Sequence, residues 1–189
     1  MKRYIIPIVI ILVLASGWLS GCSATTTYQN DQHDYTIDYP SNWVLEASDS
    51  KQVFIHPHET EFLYRNVSIK ISDPEPLLSI EEEVMSVINT YSMPDCACTI
   101  FQIVSSKALE NNWDWLLEYI FIKDDPDAGL NLQGQDYFKK TDDFLYVISL
   151  TWELESDSIP TELKTIVDSF QIRGATFSQR PCCLDFFRE

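Results

Sequence analysis

The sequence predicts an α+β domain, an antiparallel sheet accompanied by two helices. Three observations carry this. Several runs alternate between apolar and polar residues with the period of two that marks a strand. The four longest of these runs, all after Thr99, are joined by short connections, which permit only antiparallel neighbours. Two further segments place apolar residues three and four apart, as a helix does. With 13% aromatic residues and five glycines in 189 residues, the chain is composed to pack a core, not to stay disordered.

The elements follow in order. Asp34 to Tyr39 alternates, with Tyr35, Ile37 and Tyr39 on one face. Pro40-Ser41-Asn42 turns the chain, and Trp43-Val44-Leu45 opens a second strand. Lys51 to His56 is a third, and Asn66 to Ser72 a fourth, with Val67, Ile69 and Ile71 inward. Asp73-Pro74-Glu75-Pro76 breaks strand pairing. Ser79 then opens a helix: Ser79 and Glu82 form a capping box, and Glu81 to Glu83 suit the positive end of the helix dipole. Its inward positions are Ile80, Val84, Val87, Ile88 and Tyr91, and Pro94 ends the pattern.

The four long strands are Thr99 to Leu109, Trp113 to Lys123, Leu130 to Lys140 and Phe144 to Trp152. The second puts Trp113, Trp115, Leu117, Tyr119 and Phe121 on one face and becomes apolar on the other toward its end. The fourth is apolar on both faces, as a strand covered on both sides must be. A second helix starts near Ser158, with Pro160 in its first turn and Leu163, Ile166, Val167 and Phe170 inward. Phe170-Gln171-Ile172 closes the fold as a short extension.

The chain ahead of this domain points to a membrane. Lys2 and Arg3 precede an apolar run from Tyr4 to Leu14, and Leu19-Ser20-Gly21-Cys22 follows. A charged start, an apolar middle and a small-residue exit make a secretory signal over residues 1–21. The stretch from Tyr4 to about Trp18 is short for a spanning helix, which needs about 20 apolar residues. The Leu-x-Gly-Cys ending resembles a bacterial lipoprotein signal. That resemblance implies a diacylglyceryl thioether on Cys22 and an acylated mature N-terminus, hence a palmitate-type anchor in membrane lipid. Two or more chains hold stably where one does not.

A mature chain from Cys22 would have 168 residues, enough for one domain with a real core. Residues 22–33 are polar and aperiodic and read as a flexible tether, spanning roughly 18 Å as a coil and about 35 Å when stretched. Residues 34–173 are the domain, and 174–189 a C-terminal tail. The full chain carries −16; losing Lys2 and Arg3 leaves 11 basic against 29 acidic residues, or −18. Such a surface repels nucleic acid and anionic headgroups, so nucleic acid is excluded as a partner. Serine after the cysteine suits the outer membrane if the host has one. The expected location is the extracytoplasmic face of the cell membrane or outer membrane.

Four cysteines remain: Cys96, Cys98, Cys182 and Cys183. An even count outside the cytoplasm suggests disulfides. Bonds between adjacent or next-but-one cysteines are strained, so the Cys96/Cys98 pair is expected to bridge to the Cys182/Cys183 pair, at about 2–4 kcal/mol each. Free thiols and a four-thiolate zinc or copper site are the other readings, although the spacings are not C-x2-C knuckles.

No catalytic motif stands out: there is no G-x-S-x-G elbow and no phosphate-binding glycine loop. His56 and His58 alternate on one side of an extended segment and could share a cation; the competing reading is an exposed hairpin loop. Asp124, Asp125 and Asp127 lie in one turn without the glycine and distal glutamate of a calcium loop. Asp114 and Glu118 have no evident proton-transfer partner. Asn66-Val67-Ser68 matches a glycosylation acceptor but sits within an expected strand. No cofactor is required, and a divalent cation is the one left open.

Tyr35-x-Ile37-Asp38-Tyr39-Pro40-x-x-Trp43 resembles the opening signature of the PsbP-like family. The strand containing Val67-Ser68-Ile69 before a helix, Trp115-x-x-x-Tyr119, and Ile166-Val167-Asp168-Ser169-Phe170 are similar to later parts of that family. The resemblance covers Tyr35 to Ile172. It implies an α/β/α sandwich with a central antiparallel sheet flanked by helices. Family members include extrinsic subunits on the lumenal side of photosystem II that favour calcium and chloride retention, a nuclear-import factor that binds a small GTPase, and bacterial lipoproteins of unassigned role. It therefore implies a non-enzymatic domain that binds an envelope or membrane protein. A photosystem-associated or calcium-retaining subunit and an extracytoplasmic hydrolase are the alternatives.

Overall fold

The computed structural model describes residues 24–58, 65–91, 100–110, 112–122, 131–154 and 158–173. Cys22, Cys96, Cys98, Cys182, Cys183 and the Asp124 to Asp127 turn lie outside these described residues.

The chain order is β1 Thr25–Asn30, β2 Tyr35–Pro40, β3 Trp43–Asp49, β4 Gln52–Pro57, β5 Asn66–Ser72, α1 Ile80–Tyr91, β6 Ile100–Ala108, β7 Trp115–Ile122, β8 Asn131–Lys140, β9 Leu145–Glu153, α2 Thr161–Asp168 and β10 Gln171–Ile172. Seven strands form one sheet in the order β3-β4-β5-β9-β8-β7-β6, and three form a small one, β1-β2-β10. Every pair is antiparallel. Among the described residues, the chain builds the expected antiparallel sheet with two helices.

Two expectations are corrected. Within the stretch read as a tether, Thr25–Asn30 pairs with β2, from Thr25↔Pro40 to Asn30↔Tyr35. Threonine favours strands even without apolar alternation, and Tyr28 packs against the core. Asn30 fixes the hairpin: its Oδ1 accepts from the amides of Gln32 and His33, each at 3.1 Å. Asp34 leaves the turn at φ 50°, a conformation Asp tolerates. The second correction concerns Trp113. It lies ahead of β7 and stacks on Phe170 at 5.2 Å, away from Trp115 and Leu117. The chain enters the strand through a bend, where Asp114 N donates to Phe138 O and Leu109 N to Asp114 O.

Alternation along β9 organises the packing. Tyr146, Ile148, Leu150 and Trp152 join Leu163, Ile166 and Val167 of α2, Tyr35 and Ile37 of β2, and Val67, Ile69 and Ile71 of β5. Leu145 and Val147 point the other way and join Val84 and Ile88 of α1, Leu117, Tyr119 and Phe138. Fully burying each of these side chains contributes about 1.5–3 kcal/mol.

The helices begin and end for local reasons. Ser79 N donates to Glu82 Oε2 at 2.7 Å and Glu82 N to Ser79 Oγ at 3.3 Å, the reciprocal capping box. α2 ends where Ser169 Oγ donates to Ile166 O at 2.7 Å. The same oxygen accepts from Asp38 N at 2.8 Å, joining the helix end to β2. Lys140 anchors the approach to α1, donating to Glu75 O, Leu78 O and Glu83 Oε1 at 2.8, 2.7 and 3.2 Å.

Candidate functional site

Among the described residues, those singled out by sequence as candidate sites are dispersed or already paired. His56 closes β4 at 8% exposure, with Nδ1 donating to Pro57 O at 2.9 Å and Nε2 3.7 Å from Glu46 Oε1. His58 lies past the strand end and is exposed. Among the described residues no group of three or more His, Cys, Asp or Glu could hold a metal ion. Asp114 accepts from Lys139 Nζ at 2.7 Å and Lys140 N at 2.8 Å. Glu118 accepts from Gln135 Nε2 at 2.7 Å and Lys107 Nζ at 3.5 Å. Both carboxylates are thus held in ion pairs and hydrogen bonds to neighbouring strands. Asn66-Val67-Ser68 lies in β5.

The concave feature with buried polar chemistry was not among the candidates. It lies on the α1 face of the large sheet, beyond the end of the helix, and three cross-strand rows build it. One row holds Ser68, Ser149 and Asp136. The next holds Thr151, Gly134 and Tyr119. The last holds Leu132, Phe121 and Phe101. Register partners share a face, so these side chains converge. All of them except Asp136 and Gly134, together with Tyr91 of α1, line a cavity of about 250 Å³, mostly apolar.

Gly134 makes the arrangement possible. A Cβ there would meet Cε2 and Cζ of Tyr119 at 2.5 Å, so only glycine lets the Tyr119 ring lie across the strand. The ring then reaches Asp136, which is 0% exposed: Tyr119 Oη donates to Asp136 Oδ1 at 3.1 Å and Tyr91 Oη to Oδ2 at 3.3 Å. Ser149 adds a third hydrogen bond. Burial pushes the carboxyl up to about 6, against the three hydroxyls that favour its charge. Burial, and then the neighbouring Asp136, push the Tyr119 phenol far above its ordinary range, so it stays protonated. Tyr91, Phe101 and Tyr119 form an aromatic cluster with ring centres 5.2 to 5.9 Å apart. Thr151 Oγ1 is buried with no hydrogen-bond partner among the described residues.

Sequence reading passed over Asp136 because Gln133-Gly134-Gln135-Asp136 looks polar on both faces. The available signal was a glycine inside a strand, which often marks close approach by another group.

No family model matches the chain, and no curated protein matches its sequence. Its fold is similar to solved structures. Cyanobacterial PsbP (CyanoP) from Synechocystis sp. PCC 6803 aligns at TM-score 0.60 and 17% identity, over 82% of this chain and 95% of that one. The Saccharomyces cerevisiae Ran-binding protein Mog1p aligns at TM-score 0.53 and 10% identity, over 79% of this chain and 96% of that one. A Bacteroides thetaiotaomicron VPI-5482 protein aligns at TM-score 0.51 and 12% identity, over 81% of this chain and half of the other. At these identities the likeness is one of fold: the chain has a PsbP-like fold.

Proposed function

We propose that the protein is a lipid-anchored extracytoplasmic binding domain of PsbP-like fold, without catalytic activity, that docks an envelope or membrane protein. The observation that supports it is the fold: Mog1p, a solved neighbour, is by description a Ran-binding protein. The side chains agree with it, since the carboxylates flagged by sequence are held in structural pairs. The finer architecture we read as an α/β/α sandwich, with α1 over one face of the large sheet and α2 with the small sheet over the other. The cluster memberships of β9 support this layering. The anchor is the acylated Cys22, which places the acidic body outside the cytoplasm.

Photo-crosslinking in membranes tests the reading. Probes at the exposed Leu77, Met85 and Val104 sample the apolar surface around α1 and β6. A discrete adduct with one envelope protein, lost when the chain is released from the membrane, is the expected result. Uniform labelling of many proteins at random would contradict it.

A further inference from the structure

The α1-face cavity has two unlike sides. Over β5 and β9 the lining is hydroxylic: Ser68 pairs with Ser149 across the register, and Thr151 lies two residues on, on the same face. Over β8, β7 and β6 it is carbon, from Leu132, Tyr119, Phe121 and Phe101, with Tyr91 of α1 beside them. Among the described residues that line it, none is an acid, a base or a histidine. The carboxylate of Asp136 stands outside this lining and already accepts from Tyr91, Tyr119 and Ser149. Thr151 Oγ1 is buried with no hydrogen-bond partner among the described residues. A hydroxyl can both donate and accept, so the hydroxylic side asks for hydrogen bonds of either sense and for no charge.

We infer that this cavity is a binding site for a neutral, ring-sized small molecule carrying one hydroxyl or carbonyl group, with its ring over β6 to β8 and its polar group toward Thr151. Ligand sites in proteins have this make-up, apolar walls with a few polar groups that fix orientation. An ion of either sign would give up its water for a lining that offers no counter-charge. A guest with no polar group would displace water from the hydroxyls and leave them unpaired, which is unfavourable in a buried site. Size agrees. A cavity of about 150 Å³ holds benzene, and one of about 250 Å³ has room for a ring and a short arm. The inference concerns a small-molecule ligand and does not depend on the protein-docking proposal.

The test is a titration of the full chain in detergent micelles at pH 7.5, followed by its amide NMR shifts. Guest concentrations are corrected against protein-free micelles. The guests are benzyl alcohol, toluene, benzylammonium and benzoate, which share one ring. Benzyl alcohol should give saturable shifts centred on Phe121, Leu132 and Thr151, and should bind more tightly than either ion by roughly tenfold or more. Thr151→Val keeps the branched shape and removes the hydroxyl. It should weaken benzyl alcohol by roughly threefold or more and leave toluene unchanged or tighter, a contrast that a merely structural role for Thr151 would not produce. The inference is overturned if either ion binds as tightly as benzyl alcohol, if Thr151→Val changes benzyl alcohol and toluene alike, or if the folded chain shows no saturable binding of benzyl alcohol.

Discussion

At the scale of single residues, the α1-face cavity depends on one missing side chain. Tyr119 reaches Asp136 only because Gly134 leaves its ring room. Gly134→Ala should therefore displace the ring and destabilise the domain by about 1–3 kcal/mol, visible as a lower urea midpoint. Asp136 itself makes stability depend on pH. Its folded pKa, about 6, lies above the ordinary 3.8, so between those values the native state holds a proton that the unfolded chain has lost. Stability should fall as pH rises through that window, by on the order of 3 kcal/mol from this group, and level off above it. The titratable groups hydrogen-bonded to it are Tyr91 and Tyr119, and burial keeps the Tyr119 phenol protonated throughout. Asp136→Asn should flatten the pH 4 to 6 limb in urea titrations at stepped pH; an unchanged limb would assign it to other groups.

At the scale of elements, α1 is fixed at both ends by polar contacts to β8. Near its start, Lys140 ties together Glu75, Leu78 and Glu83, and at its end Tyr91 meets Asp136. Lys140→Met keeps the stem and removes three hydrogen bonds, leaving buried Glu83 without its cation. A loss of about 2–3 kcal/mol is expected, read by urea unfolding and by faster amide exchange in α1. Ser79→Ala should cost about 1 kcal/mol by the same assay. These helix boundaries were legible because capping chemistry is local: Ser79 and Glu82 sit three residues apart. β9 was legible because Leu145 to Ile148 is apolar on both faces, which fits burial on both sides. β1 was not, because Thr25-Thr26-Thr27 shows no period and its strand state is decided by pairing with β2, distant in the energy sense from any local signal. The segregation of β2 and β3 into different sheets was equally invisible, since Pro40-Ser41-Asn42 reads as an ordinary turn. Asp136 was hidden because an inward polar residue interrupts the pattern that sequence reading relies on.

At the scale of the whole molecule, an acidic body with a PsbP-like fold meets an N-terminal segment that reads as a lipoprotein signal. The pairing of Thr25 with Pro40 shortens the free span after Cys22 to a few residues. The domain would then sit close against the membrane, although the charge of −18 left after Lys2 and Arg3 are removed disfavours contact with anionic headgroups. A partner protein that spaces it from the lipid would relieve this, consistent with docking to an envelope protein. The most direct measurement is the intact mass of the chain extracted from membranes. A polypeptide starting at Cys22 and carrying a diacylglyceryl group is the expected species. A chain that retains residues 1–21, with Cys22 as a free thiol, would contradict it.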